Sequence, residues 1–194
     1  EPATLSTFDL LIDTLLKSDR LSDALGLLYL VLALRQNDRP GSREAAGRML
    51  AVIGTPERIE LLVMALRRAD LETASLFNLL RLTPDDAFTD LFACALKHLW
   101  REPSIDAVID ILAEKSSSQL EKMERHLTSA DLPEAKLAYQ VLVKLGTDDA
   151  FDTLTALKKS PVPNMRLSLI RAIGEVSTPT VRETLFELLG DHTS

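Results

Sequence analysis

Three histidines, one cysteine and two pairs of adjacent aspartates are the residues of this chain best suited to catalysis or metal binding. His98, His126 and His192 stand far apart. None has a second His or Cys three or four residues away, the spacing that puts two ligands on one helix face. A metal site would have to be assembled from separate segments, so no metal and no cofactor is expected, and the histidines read as surface or cap residues. Cys94 sits among Phe92, Ala95 and Leu96 with no cation evident that would hold it as a thiolate, and reads as a small core residue. Asp85-Asp86 and Asp148-Asp149 have the chemistry of paired acid and base groups. Each pair also fits the first turn of a helix, where the positive end of the helix dipole stabilises carboxylates. The sequence has no Gly-rich phosphate loop with Lys, no Gly-x-Ser-x-Gly elbow and no His-Glu-x-x-His motif. The chain is therefore expected not to be an enzyme.

Recognition is the remaining chemistry. Arg43, Arg48, Arg58, Arg67, Arg68 and Arg81 make the first half Arg-rich, and a guanidinium fork can grip carboxylates or phosphates. Glu44, Glu57, Glu60, Asp70 and Glu72 are interspersed among them, which points to solvated helix faces laced with ion pairs. The formal net charge is −7, with 11 basic against 14 acidic residues through Lys97 and 11 against 15 after it. Neither half has the basic excess of a nucleic-acid binder. Trp100, beside His98 and Arg101, is the one aromatic expected to be partly exposed as a contact residue.

The elements that must position these residues are announced by a recurring turn. Val52-Ile53-Gly54-Thr55-Pro56-Glu57 is echoed by Lys144-Leu145-Gly146-Thr147-Asp148-Asp149 and by Glu175-Val176-Ser177-Thr178-Pro179-Thr180. A Thr at the N-cap can accept a hydrogen bond from a first-turn amide, Pro costs nothing at the first helical position, and a preceding Gly can end a helix. Thr55, Thr83, Ser117, Thr147 and Thr178 align as equivalent caps at spacings of 28, 34, 30 and 31 residues, with Pro56, Pro84 and Pro179 as first helical residues. Before each cap the apolar periodicity predicts a helix: Arg43 to Ile53, Leu71 to Leu82, Ile105 to Glu114, Glu134 to Leu145 and Met165 to Val176. After each it predicts a second: Pro56 to Arg68, Pro84 to Leu99, Gln119 to Leu127, Asp148 to Lys158 and Pro179 to Leu189.

One further pair precedes Gly41. Ser6 and Asp9 suggest its capped start, with Leu10, Leu11 and Leu15 on the inner side. Its second helix, Ser22 to about Arg35, is apolar around most of its circumference and is expected to be covered on more than one face. The segments 36–42 and 160–164 read as longer connections. No segment alternates strictly with β-branched residues, so no sheet is expected.

Residues 164–191 and 42–56, the latter reading Ser42-Arg43-Glu44-Ala45-Ala46-Gly47-Arg48-Met49-Leu50-Ala51-Val52-Ile53-Gly54-Thr55-Pro56, resemble short HEAT-like repeats of the phycobilisome-lyase type; the unit at 132–160 resembles them less closely. The resemblance implies an all-α fold, an α-solenoid of about six antiparallel helix pairs, with residues 1–40 an atypical first pair continuous with a repeat array over 41–194. It implies one extended curved surface and no chemistry. A tetratricopeptide array competes on repeat length, but its aromatic and small-residue signature is missing.

Function is then expected to be that of a protein-binding scaffold or adaptor. Two alternatives stay open: an enzyme accessory resembling the bilin lyases, holding a chromophore or modified protein in its groove, and a recognition domain of a larger secretion, motility or signalling protein. If the second helices form the concave face, their non-stripe positions select Glu60, Arg67, Asp90, Lys97, Arg125 and Lys158, with Trp100, as candidate partner contacts. A single cysteine favours a reducing, cytoplasmic compartment. The longest apolar run, 25–34, is about half of a bilayer span, so membrane insertion is not expected. The opening Glu1-Pro2, with no Met and no signal-peptide pattern, is what a processed chain or a piece of a longer one would show.

Overall fold

The computed structural model describes residues 2–36, 41–68 and 72–158, and every regular element among them is helical. Ten α-helices follow in order: α1 (Pro2–Lys17), α2 (Leu21–Arg35), α3 (Ser42–Ala51), α4 (Pro56–Ala65), α5 (Thr73–Leu82), α6 (Phe88–Leu99), α7 (Ile105–Ser116), α8 (Leu120–Leu127), α9 (Leu132–Leu145) and α10 (Asp148–Lys158). Short 3-10 turns at Val52–Gly54 and Asp85–Ala87 sit between α3 and α4 and before α6. The expected sixth pair, its Thr178 cap, the 160–164 connection and His192 lie outside the described residues.

The recurring turn is real as backbone and varied as chemistry. Thr147 caps α10 as expected, its hydroxyl accepting from the Ala150 amide at 3.3 Å. Gly146 ends α9 in the left-handed conformation, φ 63°, with its N–H on the Leu142 carbonyl. Thr55 has the extended backbone of an N-cap and is followed by Pro56 at the start of α4, yet its hydroxyl makes no capping bond. Thr83 instead closes α5, donating to the Leu80 carbonyl at 2.7 Å, and Pro84 precedes the 3-10 turn rather than opening a helix. Ser117 is not a cap at all, because α8 starts three residues later behind Gln119. Gly54 has a steric role. A Cβ there would lie 2.6 Å from the Pro84 ring and 3.5 Å from Ala87, so the two turns touch only because Gly54 has no side chain.

The first pair departs furthest from expectation. Helix α1 begins at Pro2, leaving Ser6 and Asp9 inside it. Its inner stripe is Phe8, Ile12, Leu15 and Leu16, whereas Leu10 and Leu11 are 68% and 44% exposed. Once Phe8 and Ile12 set the phase, positions 10 and 11 fall on the far side of a 3.6-residue helix. The turn to α2 carries no glycine. Asp19 adopts φ 57°, with Asp19 N–H on the Leu16 carbonyl and Arg20 N–H on the Leu15 carbonyl, the double closure usually built around Gly. An Asp tolerates that conformation better than most residues, and here its carboxylate receives both hydrogen bonds from Arg68 Nη1, at 2.9 and 3.0 Å. Helix α2 buries one stripe, Leu21, Ala24, Leu28 and Val31. Tyr29, Leu30 and Leu34 on its other side are exposed, contrary to the expectation of cover on several faces.

The chain divides into two units, residues 1–111 and 112–194. In the first, α2 packs against α1, α3 and α5, and α4 packs against α5 and α6. Its core is a run of fully buried side chains including Ile12, Leu16, Leu28, Ile53, Ile59, Leu62, Leu76, Leu79, Phe88 and Phe92, each adding roughly 1.5–3 kcal/mol by burial. Within it lies a cation. Arg58, read from sequence as part of a solvated face, is only 9% exposed. Its Nη1 donates to the Val52 carbonyl at 2.7 Å, and its Nη2 lies 2.8 Å from the Asp9 carboxylate and 3.3 Å from the Asp9 carbonyl. In the second unit α9 packs on α8 and α10, and α8 on α10, around Met123, Leu137, Val141, Leu142 and the fully buried Tyr139. Desolvation pushes the Tyr139 hydroxyl up to about 12.

Gly54→Ala should lower stability by about 1–3 kcal/mol, because a proline ring cannot swing aside. Thr147→Ala should cost about 1 kcal/mol and Thr55→Ala less than about 0.5. Urea denaturation of the three variants checks this: equal losses at the two threonines would contradict the difference in capping.

Candidate partner-binding surface

One face of α4 gathers most of the exposed functional chemistry of the first unit. Glu57, Glu60, Leu61, Met64, Arg67 and Arg68 recur along and just beyond this helix at three- and four-residue steps, so they share one side of it. Together with Leu16, Lys17 and Asp19 at the end of α1 and Glu102 after α6, they line an open groove of about 720 Å³. Its floor is apolar and its rim is charged.

The rim is held by ion pairs between helices. Glu60 Oε1 accepts from Lys97 Nζ at 2.7 Å and lies 2.8 Å from His98 Nε2, both on α6. The Lys97 hydrogen bond first, and then that of His98, holds the Glu60 carboxyl below its ordinary value, and the same contact holds Lys97 above its own. Arg67 Nε stands 3.3 Å from the Glu102 carboxylate. Arg68 pairs with Asp19 as described, while within α1 Lys17 pairs with Asp13 at 2.7 Å. Glu57 makes no ion pair among the described residues.

Of the residues selected from sequence, the structure brings Glu60 and Lys97 into direct contact and sets Arg67 on the same helix face as Glu60. Asp90 is half-buried and makes no ion pair among the described residues. Trp100 is half-buried at the end of α6. Arg125 belongs to the second unit, where it pairs with Glu121 one turn away at 2.8 Å and both side chains are well exposed. The side chain of Lys158 lies outside the described residues. Sequence reasoning missed Met64, 49% exposed in the last turn of α4, where periodicity alone would not single it out.

In the second unit, His126 Nδ1 lies 2.7 Å from Glu134 Oε1, and Ser129 donates to Glu134 Oε2. Burial pushes the Glu134 carboxyl up, but the Ser129 and His126 hydrogen bonds outweigh it and the group lies below its ordinary value. The histidine thus closes the turn between α8 and α9. Among the described residues no cluster of three or more His, Cys, Asp or Glu side chains is arranged to hold a metal ion. Cys94 is half-buried. Burial pushes its thiol up, Glu60 and Asp90 add to this, and Lys97 only partly opposes them. Among the described residues no helix is long and apolar enough to cross a membrane. No family model, no curated protein and no solved structure matches the chain.

Both depressed carboxyls give stability that is present above the ordinary carboxylate range and lost as pH falls through their lowered folded-state values. The stability difference between wild type and Glu60→Gln should therefore be constant above about pH 5 and shrink below about pH 4. Denaturation curves across that range test the sign, and a difference that grows on acidification would refute it. Cys94 should react with iodoacetamide at neutral pH more slowly than the same thiol in urea-unfolded protein. Mass spectrometry of timed samples reads this directly, and equal rates would contradict the raised thiol.

Proposed function

We propose that this chain is a non-enzymatic binding or scaffolding module, an α-solenoid of HEAT-like helix pairs that holds a protein partner on the side formed by its second helices. Sequential stacking of second helices is supported where α4 packs on α6 and where α8 packs on α10. The observation that carries the functional reading is the α4 groove: it is open, and its rim charges are engaged in inter-helix ion pairs rather than converging on one point. Sites for chemistry on small molecules are usually enclosed, with a few polar groups aimed inward. A charged rim around an apolar strip is instead the anatomy of a protein interface.

The test is affinity capture with the intact chain, followed by titration of the recovered partner against variants. Reversing Arg67 and Lys97 together should weaken an acidic partner by more than the roughly 1 kcal/mol of a single exposed pair. Trp100→Ala should cost about 2 kcal/mol if that ring anchors the interface. Wild-type binding by both variants, with unchanged circular dichroism melts, would place the interface elsewhere.

A further inference from the structure

Read from its start to its end, the outward face of α4 has a polarity. Glu57 and Glu60 stand in its first two turns, Leu61 at its middle, Met64 in its last turn, and Arg67 just past its end. These groups retain binding capacity after their internal pairing. Glu57 has no ion-pair partner among the described residues. Glu60 uses only Oε1 toward Lys97 and His98. Arg67 is 51% exposed and pairs with Glu102 through Nε, leaving its terminal nitrogens available. Met64, unbranched and polarizable, adapts to different apolar shapes. From Glu57 to Arg68 the face extends about 16 Å, the length of roughly three helical turns.

Charge complementarity specifies an occupant for such a strip. Helices tend to carry carboxylates in their first turns and cations in their last. A second helix of this kind laid parallel to α4 would set acid on acid and base on base, whereas laid antiparallel it would bring opposite charges together at both ends. We propose that the groove is a docking cleft for one amphipathic helix of a protein partner. The helix runs antiparallel to α4, acidic at its start and basic at its end, with a large apolar side chain seated over Met64. This rests on the binding-module reading and adds the partner's secondary structure, direction and charge order.

Two fluorescent peptides of identical composition, each of roughly three to four turns, test it. One carries Glu at its start, Leu and Phe on one face and Lys at its end; the other has the Glu and Lys blocks exchanged. Fluorescence anisotropy with the wild-type chain should favour the acid-first peptide by about tenfold, since opposed like charges are strongly disfavoured across an interface. The Glu57→Lys/Arg67→Glu protein should lose or invert that preference, a change that the peptides' own helicity cannot produce. Met64→Glu, at an exposed position and with its fold checked by circular dichroism, should weaken both peptides. No binding by either peptide, or the same preference in wild type and the double variant, overturns the inference. A partner captured equally by wild type and Met64→Glu would also overturn it while leaving the binding-module reading intact.

Discussion

A single buried cation constrains the first unit. Arg58 enters from the first turn of α4 and is satisfied by the start of the preceding 3-10 turn, through the Val52 carbonyl, and by α1, through Asp9 and more distantly Asp13. Its Nε has no hydrogen-bond partner among the described residues, and a buried polar atom left so costs about 1–3 kcal/mol. Buried ion pairs are weak sources of net stability but demanding in geometry. The consequence is positional: α1 has one register against α4 that brings Asp9 to the guanidinium. That register also sets Asp19 where Arg68 can reach it, and hence fixes one wall of the groove.

The groove shows how an ionic surface can be rigid and still receptive. Carboxylates and cations that belong to different helices hold each other in place, which lowers the freedom lost when a partner binds. Each such pair at the surface contributes little to folding. Its larger effect is to orient the polar atoms left over, the terminal nitrogens of Arg67 as donors and the second oxygen of Glu60 as an acceptor.

Helix existence was legible in the sequence because the apolar period of 3.6 residues persists through nearly every segment, and α4, α5 and α10 begin and end close to where that period and the Gly-Thr-Pro turn place them. Cap chemistry was less legible. Thr55, Thr83 and Thr147 look alike in sequence, but whether a hydroxyl meets a first-turn amide depends on the angle at which the chain arrives, and only Thr147 is described making that bond. The start of α1 was misplaced because Ser6 and Asp9 resemble a cap, whereas a helix can begin at a proline without any signal of that kind. Of the candidate surface, the charged residues were found by helical phase. Their mutual pairing, and the burial of Arg58, depend on contacts between residues 37 to 49 positions apart that no local pattern records.

Those long-range ties differ between the units. Arg58 to Asp9, Arg68 to Asp19 and Glu72 to Ser22 each join positions 49 or 50 residues apart, while the described packing of the second unit is between helices one or two steps apart in the chain. Closing a long loop must be paid in entropy before its contacts form, and folding slows as contacts become less local. Residues 112–158 are thus built to acquire structure as they are synthesised, helix upon neighbouring helix. Helices α1 and α2 can meet each other and α3 first, but must wait for α4 and α5 to emerge before these long-range ties can form.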